Sequence, residues 1–236
     1  MTPPTLVIVP TVNEASNLEA LVPAIQRVLP ELHLLVVDDA SADGTGELAE
    51  RLAKDDTRIH VLRRPKKLGL GTAYVDGFRW GLARGYARFF EMDADFSHDP
   101  SYLPHFVAAL DAGADVVVGS RNVTGGAIEG WGPFRYLLSK GGSLYARVVL
   151  DVAVRDLTTG FKAYTRHALE VIAIDELQSN GYAFQIETTY RALRRGLRVV
   201  ELPIVFVDRR AGRSKMSRHD VLEAVRGVWS LRRRDR

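Results

Sequence analysis

FFEMDADFSHDP, residues 89–100, places three aspartates within seven residues directly behind an apolar pair. Phe89 and Phe90 read as the end of a buried strand, and alternate residues of a strand share a face, so Asp93 and Asp95 are expected to point towards similar space. Two carboxylates held close together repel, and each raises the other's pKa unless a cation lies between them. A divalent metal with waters completing an octahedron is one explanation. A solvated turn in which Asp99-Pro100 opens the next helix is the other. The D-x-D does not choose between them, and the surrounding sequence must.

Before it, TLVIVP, a helix-like stretch 15–28, HLLVVDD, a helix-like stretch 43–54, RIHVLRR and a helix 71–84 alternate; after it come a helix 100–112 and DVVVG. Strand and helix in alternation with short connections predict an α/β fold, a mostly parallel sheet flanked by helices. Ligands of such sheets collect beyond the carboxyl ends of the strands. Those ends read Pro10-Thr11-Val12-Asn13-Glu14, Asp38-Asp39, Asp93-Ala94-Asp95 and Gly119-Ser120-Arg121. Acid pairs at two strand ends suit the two ends of a nucleotide: carboxylates accept hydrogen bonds from a ribose diol or base edge, and a metal serves the diphosphate. A strand-to-helix turn in which Ser41 or Asp43 caps the next helix would use the first pair without any ligand. Neither G-x-G-x-x-G after the first strand nor G-x-x-x-x-G-K-[ST] is present, which argues against a dinucleotide fingerprint and a Walker loop. LGLGTAYVDG reads as a tight helix entry. Beyond Arg121 follow a glycine-rich NVTGGAIEGWG, a helix-like RYLLSKGGSLYARVVL, DLTTGFKAY, a helix across AFQIETTYRALRRG and the strand LRVVELPIVF. A last amphipathic helix carries Val221, Leu222, Val225, Val228 and Trp229 on one face. With no repeat and no low-complexity linker, residues 1–216 read as one domain and 217–236 as a helical tail.

The composition, 46% hydrophobic and 26% charged over 236 residues, is that of a globular enzyme with a sizeable core. The absence of cysteine excludes disulfides and thiolate metal sites and fits a reducing compartment. MTPPTLVIVP has no basic n-region, and its apolar run of about six residues is too short for a signal peptide or a span. A cytoplasmic protein, at most peripheral on a membrane, is expected. The net charge of +3 is uneven: residues 209–236 hold ten Arg and Lys against three acids, a local +7 that leaves −4 on the rest. A basic tail on a mildly acidic body points to an anionic ligand or membrane surface met at one end, and away from nucleic acid.

PTVNEASN, VVDDASADGT, LGLGTAYVDGF, EMDADFSHDP, VGSR, DLTTGFKAY, GYAFQIE and ELPIVFVDRRAGRSKM, in that order over residues 5 to 220, resemble the inverting glycosyltransferases of family 2. Within it the S-H-D-P extension and the R-x-x-G-x-S-K-M ending resemble the dolichol-phosphate or polyprenol-monophosphate mannosyltransferases. The resemblance implies a GT-A type nucleotide-sugar-binding fold, GDP-mannose as donor, a polyprenol phosphate lipid as acceptor, and Mg2+ or Mn2+. It also implies a membrane surface or a separate anchor protein as partner. It assigns Pro10, Val12 and Glu14, with Val37 and Asp39, to the nucleotide; Val12 departs from the usual tyrosine and removes a stacking surface. Asp93, Ala94 and Asp95 match the diphosphate and metal segment, and Ser97 stands where some relatives place a glutamine ligand. Arg121, Arg135 and Ser139 match the acceptor-phosphate set, and Arg121, Arg209 and Lys215 the donor phosphates; two phosphorylated substrates brought together need such cations. Asp93, Asp95 and Arg121 are thus the expected catalytic residues. His98 reads as a packing or capping residue, and Asp156 and Glu187 as ordering the acceptor side or as buried structural acids. The same fold with UDP-glucose or another donor, and a non-catalytic sugar-nucleotide-binding subunit, are the alternatives.

Overall fold

The computed structural model describes residues 3–177, 179, 181–208 and 218–234, with backbone alone for 182, 218–224 and 234. Strands β1 (Thr5–Thr11), β2 (His33–Asp38), β3 (Ile59–Arg63), β4 (Arg88–Glu91), β5 (Val116–Ser120), β7 (Lys162–Thr165) and β8 (Val199–Pro203) form one sheet. Their order is β3-β2-β1-β4-β7-β5-β8. A separate parallel pair joins β6 (Ala127–Glu129) to β9 (Val205–Val207). The helices are α1 (Ala15–Val28), α2 (Thr45–Asp55), α3 (Leu70–Ala83), α4 (Leu103–Asp111), α5 (Pro133–Leu150), α6 (Arg166–Ile172), α7 (Gly181–Arg194) and α8 (Arg218–Arg234).

The apolar runs are continuous because the sheet is covered on both faces. Alternation sends Val7, Val9, Leu34, Val36 and Phe90 to one side, where Leu18, Leu21, Ile25, Ala49 and Phe106 of α1, α2 and α4 meet them. Leu6, Ile8, Leu35, Val37 and Phe89 go to the other, against Tyr74, Phe78, Leu169 and Phe184 of α3, α6 and α7. A third cluster joins Ala146 and Leu150 of α5, Ile186 and Tyr190 of α7, and Val228 and Leu231 of α8. Helix α3 lies close on the sheet because it presents glycine to it: a Cβ on Gly81 would stand 2.5 Å from Phe89 Cε1 and 2.6 Å from Leu6 Cδ2.

The strand order reverses direction between β1 and β4, which opens a crevice at their carboxyl ends, the usual ligand position in such sheets. The structure departs from the sequence expectations in four places. Strand β7, within DLTTGFKAY, is an unforeseen antiparallel insertion between β4 and β5. Strand β4 stops at Glu91, so Asp93 and Asp95 lie in the turn beyond it, where Phe96 takes a left-handed φ of 62°, and not on alternate strand positions. LRVVELPIVF breaks after Pro203, which has no N–H for a ladder, and its second half joins the small pair instead. The stripe expected along the last helix divides: Val228 is buried, joined by Leu231, which the stripe did not include, while Val225 and Trp229 are exposed, and the side chains of Val221 and Leu222 lie outside the described set.

Gly81→Val is expected to destabilise the fold by about 1–3 kcal/mol through overpacking against Leu6 and Phe89, measured as a lowered urea midpoint at unchanged slope.

Candidate active site at the carboxyl edge of the sheet

The ends of β1 and β2 are laced together. Asn13, at φ 55°, donates its N–H to Ser41 Oγ at 2.9 Å and accepts from the Ala42 N–H at 2.8 Å. The Glu14 N–H donates to Thr45 Oγ1 at 2.9 Å, and Asp43 accepts from the N–H groups of Ala15 and Thr45, each at 3.1 Å. Asp38 is buried, accepting from Thr11 Oγ1 at 3.2 Å and facing Arg63 Nε at 3.3 Å. Asp39 is clamped harder: Arg64 lies 2.9 Å away, and the N–H groups of Leu68 and Gly69 donate to it at 3.0–3.1 Å. The expected ribose contact thus also fixes the glycine entry of α3, where Gly69 adopts φ 102°. Val37 is fully buried within the sheet, between Pro10 of β1 and Leu62 of β3 in register. Pro10, Val12 and Glu14 are half-buried, and the Glu14 carboxylate accepts from Asn17 Nδ2 at 2.8 Å.

Beyond β4 the two aspartates are unequal. Asp93 keeps 37% of its side chain exposed, whereas Asp95 is buried and accepts from the Ser97 N–H at 3.1 Å and from the Ser97 hydroxyl. Ser97 therefore positions the Asp95 carboxylate. Asp99 accepts from the Ser101 N–H at 2.8 Å and opens the next helical turn. His98 Nδ1 accepts from the Asp93 N–H at 3.1 Å, and the ring stacks on Phe161 at 4.8 Å. Burial pushes its pKa down to about 4, with Asp95 opposing, so the imidazole is neutral at pH 7 and braces the turn. Among the described residues no three His, Asp or Glu side chains stand close enough to hold a metal ion between them. The hard oxygens of Asp93 and Asp95 fit Mg2+ or Mn2+ in a shell whose other ligands are water and substrate oxygens.

After β5, Arg121 is held fork to fork by Asp156, Nε to Oδ2 at 2.7 Å and Nη2 to Oδ1 at 2.8 Å, and also donates to Thr158 Oγ1 at 2.9 Å. Both partners are buried. Burial alone would raise the Asp156 carboxyl; the guanidinium beside it outweighs this and holds it below its ordinary value. Asp156 is thus the acid that orders Arg121, while Glu187 is a buried acid paired with Arg191 at 2.8 Å. On α5, Arg135 lies between Asp208, 2.8 Å away, and the face of Trp131, 4.0 Å from its centroid. Ser139 follows one turn later, half-buried on the same side of the helix. Lys140 donates to the Arg121 carbonyl at 2.9 Å and ties α5 to the end of β5. Arg209 and Lys215 lie outside the described residues.

Sequence reasoning passed over the wall that joins these groups. Phe161 stacked on His98, and His98, Phe206 and Trp131 meeting edge to face, run from the D-x-D turn to the arginines, and Arg121 lies 5.3 Å from Phe206 and 5.9 Å from Trp131. Trp131 between two glycines was the available signal: an aromatic anchor in an otherwise featureless loop.

The family model for glycosyl transferase family 2 matches residues 6–173. The chain belongs to that family. It is 48% identical over 233 residues to a polyprenol monophosphomannose synthase of Mycolicibacterium smegmatis, covering 98% of this chain and 88% of the relative. It is 47% identical over 228 residues to an undecaprenyl-phosphate mannosyltransferase of Micrococcus luteus, covering 96% and 93%. In fold, this family 2 chain superposes at a TM-score of 0.73 and 18% identity on glucosyl-3-phosphoglycerate synthase of Mycobacterium tuberculosis, solved with Mn2+, UDP and phosphoglyceric acid, over 98% of this chain and 79% of that one.

Asp156→Asn would leave the buried Arg121 without its charge partner; a loss of about 3–5 kcal/mol in unfolding free energy is expected, measured by chemical denaturation.

Proposed function

We propose that the protein transfers mannose from GDP-mannose to a polyprenyl phosphate, with inversion, giving a β-linked polyprenyl phosphomannose and GDP. The observation that carries the reading is the meeting, at one sheet edge, of an acidic D-x-D turn with a guanidinium and aromatic cluster, in a chain whose relatives bear the names of polyprenyl-phosphate mannosyltransferases across nearly its whole length. Pro10, Val12, Glu14, Val37 and Asp39 take the nucleoside, and Asp93, Ala94 and Asp95 the diphosphate. Asp93 and Asp95, with Ser97 behind them, are the residues to hold a divalent ion, whose chemistry is to stabilise charge on the leaving diphosphate.

Arg121, Arg135 and Ser139 gather the acceptor phosphate, and Arg209 and Lys215 reach the donor from the carboxy-terminal side. The acceptor oxygen attacks the anomeric carbon as the bond to the diphosphate breaks. A phosphate is already anionic at neutral pH, so no base is required, and the neutral, buried His98 is consistent with that. Alignment and electrostatic stabilisation do the rest.

No described helix is long and apolar enough to cross a membrane. The lipid acceptor is met, in this reading, by a peripheral enzyme at the cytoplasmic face, with residues 1–216 as the catalytic domain and 217–236 as its helix. Helix α5 supports this. Phe134, Leu137, Leu144 and Val148, exposed by 58–79%, fall within one narrow arc of the helix, opposite the buried Ser143 and Ala146. Trp229 of α8 is exposed by 52%. Such a stripe with basic neighbours suits a helix lying in a lipid interface.

Asp95→Ala is expected to abolish GDP release from GDP-mannose in the presence of polyprenyl phosphate while the thermal unfolding transition survives, and chelator should mimic it; full activity of the unmutated enzyme in chelator would sink the metal assignment. A Phe134→Ser, Leu137→Ser variant should sediment less with anionic liposomes than the unmutated chain, and removal of residues 230–236 should weaken the salt-sensitive part of binding; unchanged binding by both would leave a separate membrane protein as the anchor.

A further inference from the structure

The loop that carries Asp156 has no strand or helix of its own. It runs from the end of α5, where Asp151 takes a left-handed φ of 55°, to the start of β7 at Lys162. Val154 and Leu157 fasten it by burial in the cluster that α5, α7 and α8 share. Apolar anchors hold a loop in place without setting the rotation of the peptides between them, because hydrophobic burial has no direction.

Those peptides are held instead by a carboxylate on the outermost strand of the sheet. Glu201 of β8, half-buried and in register with Val118 of β5, accepts from the Arg155 N–H on Oε2 at 2.8 Å and from the Asp156 N–H on Oε1 at 3.0 Å. The Arg155 carbonyl, on the same peptide as the Asp156 N–H, accepts from Asn122 Nδ2 at 3.0 Å. Both sides of one peptide are thus tied, one to Glu201 and the other to the residue that follows Arg121.

We propose that Glu201 is a positioning residue for the acceptor phosphate, acting through Asp156 on the Arg121 guanidinium. This rests on the reading of Arg121 as a ligand of the lipid phosphate. Asp156 takes three hydrogen bonds from Arg121, from the main-chain N–H at 2.9 Å, from Nε at 2.7 Å and from Nη2 at 2.8 Å, so a turn of its carboxylate carries the guanidinium plane with it. An arginine fork recognises a phosphate by direction, with two parallel N–H groups against two oxygens. Two successive main-chain N–H groups need two acceptors side by side. A carboxylate supplies them; a carboxamide of the same shape would set an NH2 group against one of the two N–H groups.

Glu201→Gln keeps the volume and exchanges one acceptor for a donor, and Glu201→Ala removes both and leaves the loop to Val154 and Leu157. In both variants of the full chain, calorimetric GDP binding with Mg2+ should stay within about twofold of the unmutated chain, while kcat/KM for polyprenyl phosphate at saturating GDP-mannose falls about tenfold. Because Glu201 acts through Arg121, adding Glu201→Gln to an Arg121→Lys chain should lower kcat/KM by less than about twofold further. Exchange of the Arg121 Nε–H with water, followed by 15N NMR with no substrate present, should quicken about tenfold in both Glu201 variants. Unchanged Nε–H exchange, unchanged kcat/KM in both variants, or a loss that adds in full to that of Arg121→Lys overturns the proposal. Equal weakening of GDP and acceptor together with a lowered melting temperature also overturns it and makes Glu201 a residue of the fold. If the unmutated chain transfers no sugar to polyprenyl phosphate, the mannosyl reading fails on its own, and the Nε–H exchange alone decides whether Glu201 orients Arg121.

Discussion

Five aspartates crowd the carboxyl edge of one sheet, and the fold depends on how their repulsion is relieved. Asp38 faces Arg63, Asp39 is clamped by Arg64 and two main-chain N–H groups, Asp95 takes Ser97, and Asp156 closes on Arg121. These four are buried, and a buried carboxylate is tolerable only when paired and hydrogen-bonded. Of the five, Asp93 alone keeps more than a third of its side chain in solvent. The four buried acids are thus held by partners of their own, and Asp93 is the carboxylate of the five most open to solvent. In the proposed reading a cation and its diphosphate meet the edge at this more exposed carboxylate.

The same compensation divides the cleft. On the β1–β2 side the acids are bound to the main chain of the loops that follow, so they shape the wall against which the proposed reading sets the nucleoside. On the β5 side the acid holds an arginine, the arginine leans on Phe206 and Trp131, and Trp131 carries Arg135 in turn. Cations held in this way are fixed in direction as well as in charge, which a pair of oxyanions brought together requires. The short antiparallel β7 makes the division possible. It sets the end of β5 one strand further from β4, with Gly160 and Phe161 leading into it beside His98.

Most of the sheet was legible because its strands are apolar on both faces and end in acids. The limits of α1 follow from its periodicity alone, and the clustering of Asp39, Asp93 and Arg121 at one edge follows from the parallel sheet. Strand β7 was not legible, since four residues that include a buried lysine and tyrosine carry no strand pattern; Lys162 is accommodated by the Gln185 carbonyl and Thr188, contacts distant in sequence. Nor could the sequence show that Asp95 would be buried and Asp93 exposed, because the left-handed turn at Phe96 decides it. The pairing of Arg121 with Asp156 and of Arg135 with Asp208 likewise needed tertiary contact to become visible.

Helix α5 ties the two demands of the proposed reaction together. Its inner side reaches the acceptor cations: Lys140 holds the Arg121 carbonyl, and the Ser143 hydroxyl lies 3.1 Å from Thr158 Oγ1, which itself takes a hydrogen bond from Arg121. Its outer side is the exposed apolar arc from Phe134 to Val148, about 21 Å long at the helical rise. A lipid phosphate drawn from a bilayer has to leave its chain in hydrocarbon while its headgroup meets the sugar. A helix with cations on one side and an apolar stripe on the other can satisfy both without moving, so docking on the membrane and placing the phosphate become one event governed by the seat of α5 on α7 and α8. Trp229, exposed on α8, adds a ring suited to the headgroup level, and so in the proposed reading the basic carboxy-terminal end need only strengthen a contact that the α5 stripe would make.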